Sequence, residues 1–73
     1  MKLPRGLSGR DLRRALERAG FEFLRQRGSH MFLKRNHPPA RVSIPDHPSL
    51  RPGTLRQILH ESGLTVESLI RPL

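Results

Sequence analysis

The chain has 73 residues, which is enough for one small domain (residues 1–73) but not for a cofactor-binding domain beside a substrate domain. Fourteen Lys and Arg against six Asp and Glu give a formal net charge of +8, and twelve of these cations are arginine, so we expect a polyanionic or acidic partner. Cysteine is absent, which excludes disulfides, thiolate nucleophiles and Cys-based zinc sites.

The chain shows no targeting or membrane segment. Residues 1–6 place no apolar run behind their charge, so we expect no signal peptide. No stretch approaches the roughly 20 apolar residues that a membrane span requires. We therefore expect a cytoplasmic protein without a membrane partner.

A first helix is predicted after Ser8. Ser8 and Asp11 fit the S-x-x-D/E capping pattern, in which two side chains satisfy free amides at a helix start. An apolar stripe at helical spacing follows, and Gly20 ends the helix in a left-handed conformation. The stripe consists of Leu12, Ala15, Leu16 and Ala19, and the opposite face carries Arg10, Arg13, Arg14, Glu17 and Arg18.

Three strands are predicted next. Residues 21–27 and 30–34 flank Gly28-Ser29, a two-residue turn signal between apolar-rich runs that indicates a β-hairpin. Residues 36–39 cannot continue a central strand, because proline lacks the amide donor. A third strand covers residues 41–44 and ends at Pro45. We expect an antiparallel meander to which Phe21, Phe23 and Phe32 contribute core side chains.

A second helix is predicted from Gly53-Thr54 to a stop at Gly63. It places Leu55, Ile58 and Leu59 on one side. Thr65 can cap a last short helix that contains Val66, Leu69 and Ile70. The order α-β-β-β-α with a small C-terminal helix predicts an α+β fold, in which the helices cover one face of a three-stranded antiparallel sheet.

The histidines and acids show no metal-site signature. The four histidines are spaced irregularly and form no H-x-x-x-H, and the six acids are scattered. Two-metal nucleases need clustered carboxylates to hold their ions. We therefore expect no metal and no cofactor. The histidines are His30, His37, His47 and His60.

A basic chain with one well-placed histidine suits the transesterification of RNA. RNA supplies its own nucleophile, the 2′-hydroxyl, and needs a base for that proton and cations around the phosphate. Histidine titrates near pH 6.5, and His30 follows the turn on a hairpin that also carries Arg25, Arg27 and Lys34. Ser29 points away from His30 on the alternate face, which argues against a catalytic triad. An ordinary surface histidine after a turn is the competing interpretation.

Four segments together resemble the HicA toxins, the YcfA-like mRNA interferases. In order, from about Ser8 to Leu64, they are Ala19-Gly20-Phe21, Arg25-Gln26-Arg27-Gly28-Ser29-His30, Val42-x-Ile44-Pro45-x-His47 and Gly53-Thr54-Leu55-x-x-Ile58-Leu59. The resemblance implies a fold like the double-stranded-RNA-binding domain and mRNA cleavage in which the histidine of G-S-H, here His30, is essential. It also implies a HicB antitoxin that masks the site.

The predicted site therefore has His30 as general base. The predicted RNA contacts are Arg25, Arg27, Gly28, Ser29 and Lys34. Arg35 is a further candidate phosphate contact or a solvated strand end. His47 also matches a family position, where a role in fastening its loop is favoured over a role as acid. His37 and His60 have no motif around them, and we expect them to be solvated.

Two matters stay open at this level. His30 and Phe32 are two residues apart in one strand, so their side chains point to the same face. If Phe32 is in the core, His30 faces the helices unless its place at the sheet edge or a bulge turns it toward solvent. With no Trp or Tyr, base stacking has few candidates, and RNA binding is expected to rest on phosphate contacts. The alternatives to an enzyme are a non-catalytic basic RNA-binding module on the same scaffold and a protein-interaction domain whose basic face meets an acidic partner.

Overall fold

The helices and strands follow the predicted order. The structure, a computed structural model, describes residues 6–70, with the side chains of Leu69 and Ile70 left out. The elements are α1 (Gly9–Arg18), β1 (Glu22–Arg27), β2 (His30–Asn36), β3 (Pro39–Pro45), α2 (Pro52–Ser62) and α3 (Val66–Ile70). The strands form an antiparallel sheet in the order β1-β2-β3, so the predicted α+β fold is confirmed.

Two expectations fall outside this description. The expectation about a signal peptide concerns residues 1–6, of which residues 1–5 are not described. The apolar roles expected for Leu69 and Ile70 rest on side chains that are not described.

The predicted capping box is present at the start of α1. The Asp11 amide donates to Ser8 Oγ at 3.0 Å, and the Ser8 amide donates to Asp11 Oδ2 at 3.2 Å. These hydrogen bonds with Ser8, the one from its backbone amide foremost, hold the pKa of Asp11 below its usual range. After Ala19, Gly20 takes a φ of +99° and lets the chain leave the helix, as predicted.

The predicted hairpin is also confirmed. Arg27 pairs with His30 across the two-residue turn. Gly28 has a φ of +58°, whereas Ser29 does not have a positive φ. Glycine at the first turn position with φ above zero is typical of a type II′ turn, whose twist matches that of the flanking strands. The register of β1 against β2 shifts between Phe23 and Arg25, so Leu24 has no partner and forms a bulge.

Several boundaries differ from the prediction. Phe21 precedes β1 but is buried, with 4% of its surface exposed. β2 runs two residues further than predicted, to Asn36, and β3 begins at Pro39. Proline is tolerated there because β3 is an edge strand and Pro39 is its first residue. α2 begins at Pro52, because proline suits the first position of a helix, where the amide has no helical partner.

The core lies between one face of the sheet and the helices, as predicted. Met31 and Leu33 of the central strand point into it, each with 1% of its surface exposed. α1 and α2 both contact β3 on this side. Two layers therefore enclose one apolar cluster, made of Leu12, Leu16, Phe21, Met31, Leu33, Val42, Ile44, Leu50, Leu55, Ile58 and Leu59.

The end of α2 and the start of α3 are as predicted. Gly63 takes a φ of +75° and its amide donates to the Leu59 carbonyl at 3.0 Å, which closes α2. Thr65 Oγ1 accepts the Ser68 amide at 3.2 Å and so caps α3. No helix within residues 6–70 combines the length and apolar character that crossing a membrane requires.

Candidate functional site

His30 lies on the face of the sheet opposite the core. Met31 and Leu33 are buried, so the alternate residues of β2, His30, Phe32 and Lys34, project to the other side. His30 is exposed and Phe32 is half-buried. The expectation that Phe32 belongs to the core is therefore wrong. Met31 and Leu33 fill the positions under the helices, and alternation releases His30 without any bulge in β2.

The strand register brings two of the predicted cations close to His30. Arg27 is its direct cross-strand partner, and such partners have Cβ atoms about 4.5–5.5 Å apart. Arg25 pairs with Phe32 and is the diagonal neighbour of His30, at a typical separation of about 7–8 Å. Lys34 lies four residues along the same strand, about 13 Å away at the usual rise per residue. The arrangement therefore groups Arg25 and Arg27 with His30 and leaves Lys34 at a distance.

The third strand adds a cation that the sequence analysis missed. Arg41 pairs with Lys34, and Ser43 pairs with Phe32, so both lie on the face of His30. Their signal was the alternation of the third strand, in which Val42 and Ile44 are the buried residues. We call this surface the open face. In the described part of the chain its residues are Glu22, Leu24, Arg25, Arg27, His30, Phe32, Lys34, Asn36, Pro39, Arg41, Ser43 and Pro45.

Gly28 and Ser29 form the turn beside His30 and are exposed. The Ser29 carbonyl accepts the Asp46 amide at 2.6 Å, which ties the turn to the end of β3. Gln26 Nε2 donates to the Gly28 carbonyl at 3.0 Å and to Asp46 Oδ2 at 3.3 Å. The Gln26 and Asp46 side chains thus stabilise the turn, and neither was given a role from the sequence.

Asp46 connects this turn to α1. Arg10 Nε donates to Asp46 Oδ1 at 3.3 Å, and this ion pair joins the first helix to the residue that follows β3. The Arg10 guanidinium, with a second contribution from Gln26, holds the pKa of Asp46 below its usual range. Asp46 therefore remains ionised over the neutral range and keeps accepting both hydrogen bonds.

The other histidines lie outside this cluster of hairpin residues. His47 is exposed, and its backbone carbonyl accepts the Gly9 amide at 2.9 Å. This contact is made by the backbone, so the fastening role favoured for the His47 side chain stays a prediction. His37 is exposed in the turn at the other end of β2, and His60 is exposed on α2. Within residues 6–70 no three His, Asp or Glu side chains lie close enough to share a metal ion.

Arg35, which the sequence analysis offered as a phosphate contact or a solvated strand end, has a structural position. Its Nε donates to the Pro38 carbonyl at 2.8 Å and its Nη2 to the Ser62 carbonyl at 3.0 Å. The guanidinium lies 4.6 Å from the centroid of the Phe21 ring. Arg35 thus joins β2 to the C-terminal end of α2, where a cation also complements the helix dipole.

Two further arginines of α1, Arg13 and Arg14, have partners within the chain. The Arg13 guanidinium lies 3.8 Å from the centroid of Phe23, and its Nε lies 3.5 Å from Glu17 Oε1. Arg14 Nη1 lies 3.6 Å from Asp11 Oδ1. These contacts are exposed or half-exposed, so they fit a solvated helix face and leave the open face as the better candidate for chemistry.

The chain also has a match among known protein families. Residues 9–64 match a family model described as the HicA toxin of bacterial toxin–antitoxin. A search of curated proteins finds no match. The matched region includes α1, the sheet and α2, and therefore the whole of the open face around His30.

Proposed function

The chain belongs to the HicA toxin family of bacterial toxin–antitoxin systems, and on that premise we propose that it is a metal-independent endoribonuclease with His30 as its general base. The observation that carries the proposal is the position of His30. It is exposed on the open face, beside the turn, with Arg27 directly across from it on the neighbouring strand. A histidine held among cations is the arrangement that RNA transesterification needs.

The proposed reaction uses the nucleophile of the substrate itself. The His30 imidazole takes the proton of a ribose 2′-hydroxyl, and the 2′-oxygen forms a bond to the adjacent phosphorus. The bond between phosphorus and the 5′-oxygen of the next nucleotide breaks, and that oxygen takes a proton from water. The hydroxide that this leaves takes the proton from the His30 imidazolium, which restores both the water and the base. The products are a 2′,3′-cyclic phosphate and a free 5′-hydroxyl. Every step is proton transfer or substitution at phosphorus, so the chemistry requires no redox partner.

The cations would act at two distances from the reacting phosphate. Arg27 and Arg25 are close enough to His30 for their guanidinium groups to reach the phosphate oxygens, where negative charge builds in the transition state. Lys34 is about 13 Å along the strand and would instead contact a neighbouring phosphate. Gly28 and Ser29 would contribute by holding His30 at the end of the hairpin and by leaving the turn open to the RNA backbone.

The same surface suits a proteinaceous inhibitor. A HicB-like antitoxin that covers the open face would block His30 and neutralise its cations. The net charge of +8 favours an acidic partner through long-range attraction. Because the proposed substrate is mRNA, the proposed place of action is the cytoplasm.

The direct test is cleavage of a single-stranded RNA in the presence of EDTA. We expect the wild-type protein to leave 2′,3′-cyclic phosphate ends, and His30→Ala to lose roughly 10²–10⁴-fold in rate while keeping its fold. His60→Ala is the matched control, because His60 is also exposed but lies on α2. Undiminished cleavage by His30→Ala contradicts the proposed base. Salt-sensitive RNA binding without any cleavage would support the non-catalytic RNA-binding module instead.

A further inference from the structure

An apolar spot lies in the middle of the cationic open face. The bulge in β1 turns Leu24 outward, and with 37% of its surface exposed it is the most exposed large hydrophobic side chain among residues 6–68. Phe32 lies beside it on the central strand. They line a shallow depression of about 220 Å³ together with three polar or basic residues, two buried apolar residues and one acid: Arg25, Arg41, Ser43, Leu33, Val42 and Glu61. The open face is therefore a surface with both charge and an apolar pocket.

The ring of Phe32 is paired with a guanidinium. The Arg25 Cζ lies 5.1 Å from the ring centroid, and the two residues are direct cross-strand partners. Both groups are flat, and the exposed guanidinium lies over the half-buried ring. Aromatic rings and Arg guanidinium planes are the two kinds of side-chain surface on which nucleobases stack. A site that bound only phosphates would have no use for the apolar members of this depression.

We propose that Phe32 and Arg25 form a stacking platform for one unpaired base of the RNA, next to the phosphate that faces His30. This inference rests on the RNA substrate of the proposed function. Phe32 lies two residues from His30 on the same face, about 7 Å along the strand. A nucleotide whose base stacks on this platform places its backbone toward His30 and Arg27. Ser43, the partner of Phe32 on β3, offers a hydroxyl to the edge of the same base.

The platform defines the class of substrate. Bases within a duplex are already stacked and paired, so they offer no free face to Phe32. The platform therefore selects single-stranded RNA over duplex RNA, although the fold resembles that of duplex-binding domains. Stacking is tolerant of base identity, since every base has a π-face, so the selection is for strandedness more than for sequence.

The test uses an RNA analogue that cannot be cleaved. In a 2′-O-methyl oligonucleotide the 2′-oxygen has no proton and cannot attack phosphorus, so wild-type protein binds without turnover. One base is replaced by 2-aminopurine, whose fluorescence is quenched on stacking. We expect quenching on binding to the wild type and to Phe32→Tyr. In Phe32→Leu we expect the quenching to be lost and affinity to fall roughly 5- to 150-fold.

Matched arginine variants separate the contribution of the platform from that of net charge. Arg25→Gln and Arg14→Gln each remove one positive charge, but Arg14 lies on the outer face of α1 next to Asp11. Only Arg25→Gln should reduce the quenching. Thermal unfolding of each variant checks that the fold is intact. Equal affinity of Phe32→Leu and wild type for the oligonucleotide overturns the inference, as does equal or tighter binding of a duplex with the same sequence.

Failure of the stacking platform is distinguishable from failure of the proposed nuclease. His30→Ala should keep the quenching while losing RNA cleavage, because its imidazole is not part of the platform. Quenching by a wild-type protein that cleaves no RNA would retain the platform and refute the nuclease. Cleavage of single-stranded RNA at equal rates by wild type and Phe32→Leu would retain the nuclease and refute the platform. If Phe32→Leu loses only antitoxin binding and keeps RNA binding and quenching, the ring contacts the protein partner and the inference is overturned.

Discussion

A methyl group added at Gly9 should be among the most destabilising small changes in this chain. Gly9 is the first residue of α1 and lies against the end of β3. A Cβ atom there would overlap the carbonyl oxygen of Pro45 and lie 3.0 Å from its carbonyl carbon and 3.2 Å from Asp46 Cα. These are backbone atoms, so they cannot rotate away as a side chain can. In Gly9→Ala, α1 must move away from β3.

Two costs add in this variant. Overpacking of a close contact costs about 1–3 kcal/mol. The shift also strains the hydrogen bond from the Gly9 amide to the His47 carbonyl, which is 2.9 Å long, and such a bond contributes about 0.5–1.5 kcal/mol. Alanine recovers part of this through its better helix propensity. We expect a net loss of about 2–3 kcal/mol, which for a domain of this size lowers Tm by roughly 8–24 °C.

The assay is thermal unfolding followed by circular dichroism, with Gly53→Ala as the matched control. Gly53 is also in the first turn of a helix, but a Cβ there meets nothing within 4 Å. The same substitution at Gly53 should therefore raise stability by about 0.4–1 kcal/mol, through the entropy of the unfolded chain. If Gly9→Ala melts at or above the temperature of the wild type, the close approach of α1 to β3 is wrong.

Three further changes test other contacts. Arg35→Ala removes the hydrogen bonds to the Pro38 and Ser62 carbonyls and should lower the free energy of unfolding in urea by roughly 2 kcal/mol. Lys34→Ala on the open face is the control and should change it by less than about 0.5 kcal/mol. Equal effects of the two substitutions would refute the structural role of Arg35. Ser8→Ala removes the cap of α1 and should cost about 0.5–2 kcal/mol by the same measurement, and an unchanged midpoint would contradict the capping box. Asp46→Asn should be less stable than wild type at neutral pH, and this difference should shrink as the pH falls below 3.8, the ordinary pKa of Asp. The folded-state pKa lies below that value because of Arg10, so the stability that the carboxylate contributes is present above 3.8 and is lost on further acidification. A difference between Asp46→Asn and wild type that is constant from pH 7 to pH 2 would contradict this reasoning.

The features that could be predicted from sequence are those encoded by neighbouring residues. Ser8 and Asp11 are three positions apart and meet within one helical turn, so the capping pattern alone locates the start of α1. Gly28-Ser29 between two apolar runs sets the hairpin, since a two-residue turn fixes the register of Arg27 against His30. The placement of Arg25, Arg27 and His30 on one surface follows from that register.

The orientation of the central strand was ambiguous for a physical reason. Alternation divides β2 into two sets, and both contain apolar residues: Phe32 in one, Met31 and Leu33 in the other. Local hydrophobicity does not choose between them. The choice depends on which set packs under α1 and α2, and that is a property of the whole fold.

The support behind the turn could not be predicted at all. Asp46 reaches Gln26 and Arg10 across 20 and 36 residues of chain, and no local pattern signals either contact. The same holds for Arg35, whose solvated or phosphate-binding roles were equally plausible until Ser62 was placed beside it. Polar contacts between distant segments arise only once the apolar core has set the elements side by side.

The role of His30 is tested best by the single-turnover rate of RNA cleavage by wild type and His30→Ala, in EDTA, on an oligonucleotide with one ribonucleotide in a 2′-O-methyl background. A single 2′-hydroxyl defines both the nucleophile and the site of cleavage. We expect cleavage after that ribonucleotide alone, a 2′,3′-cyclic phosphate end, and a rate for His30→Ala that is lower by roughly 10²–10⁴-fold. A His30→Ala rate equal to that of the wild type would contradict the role given to His30.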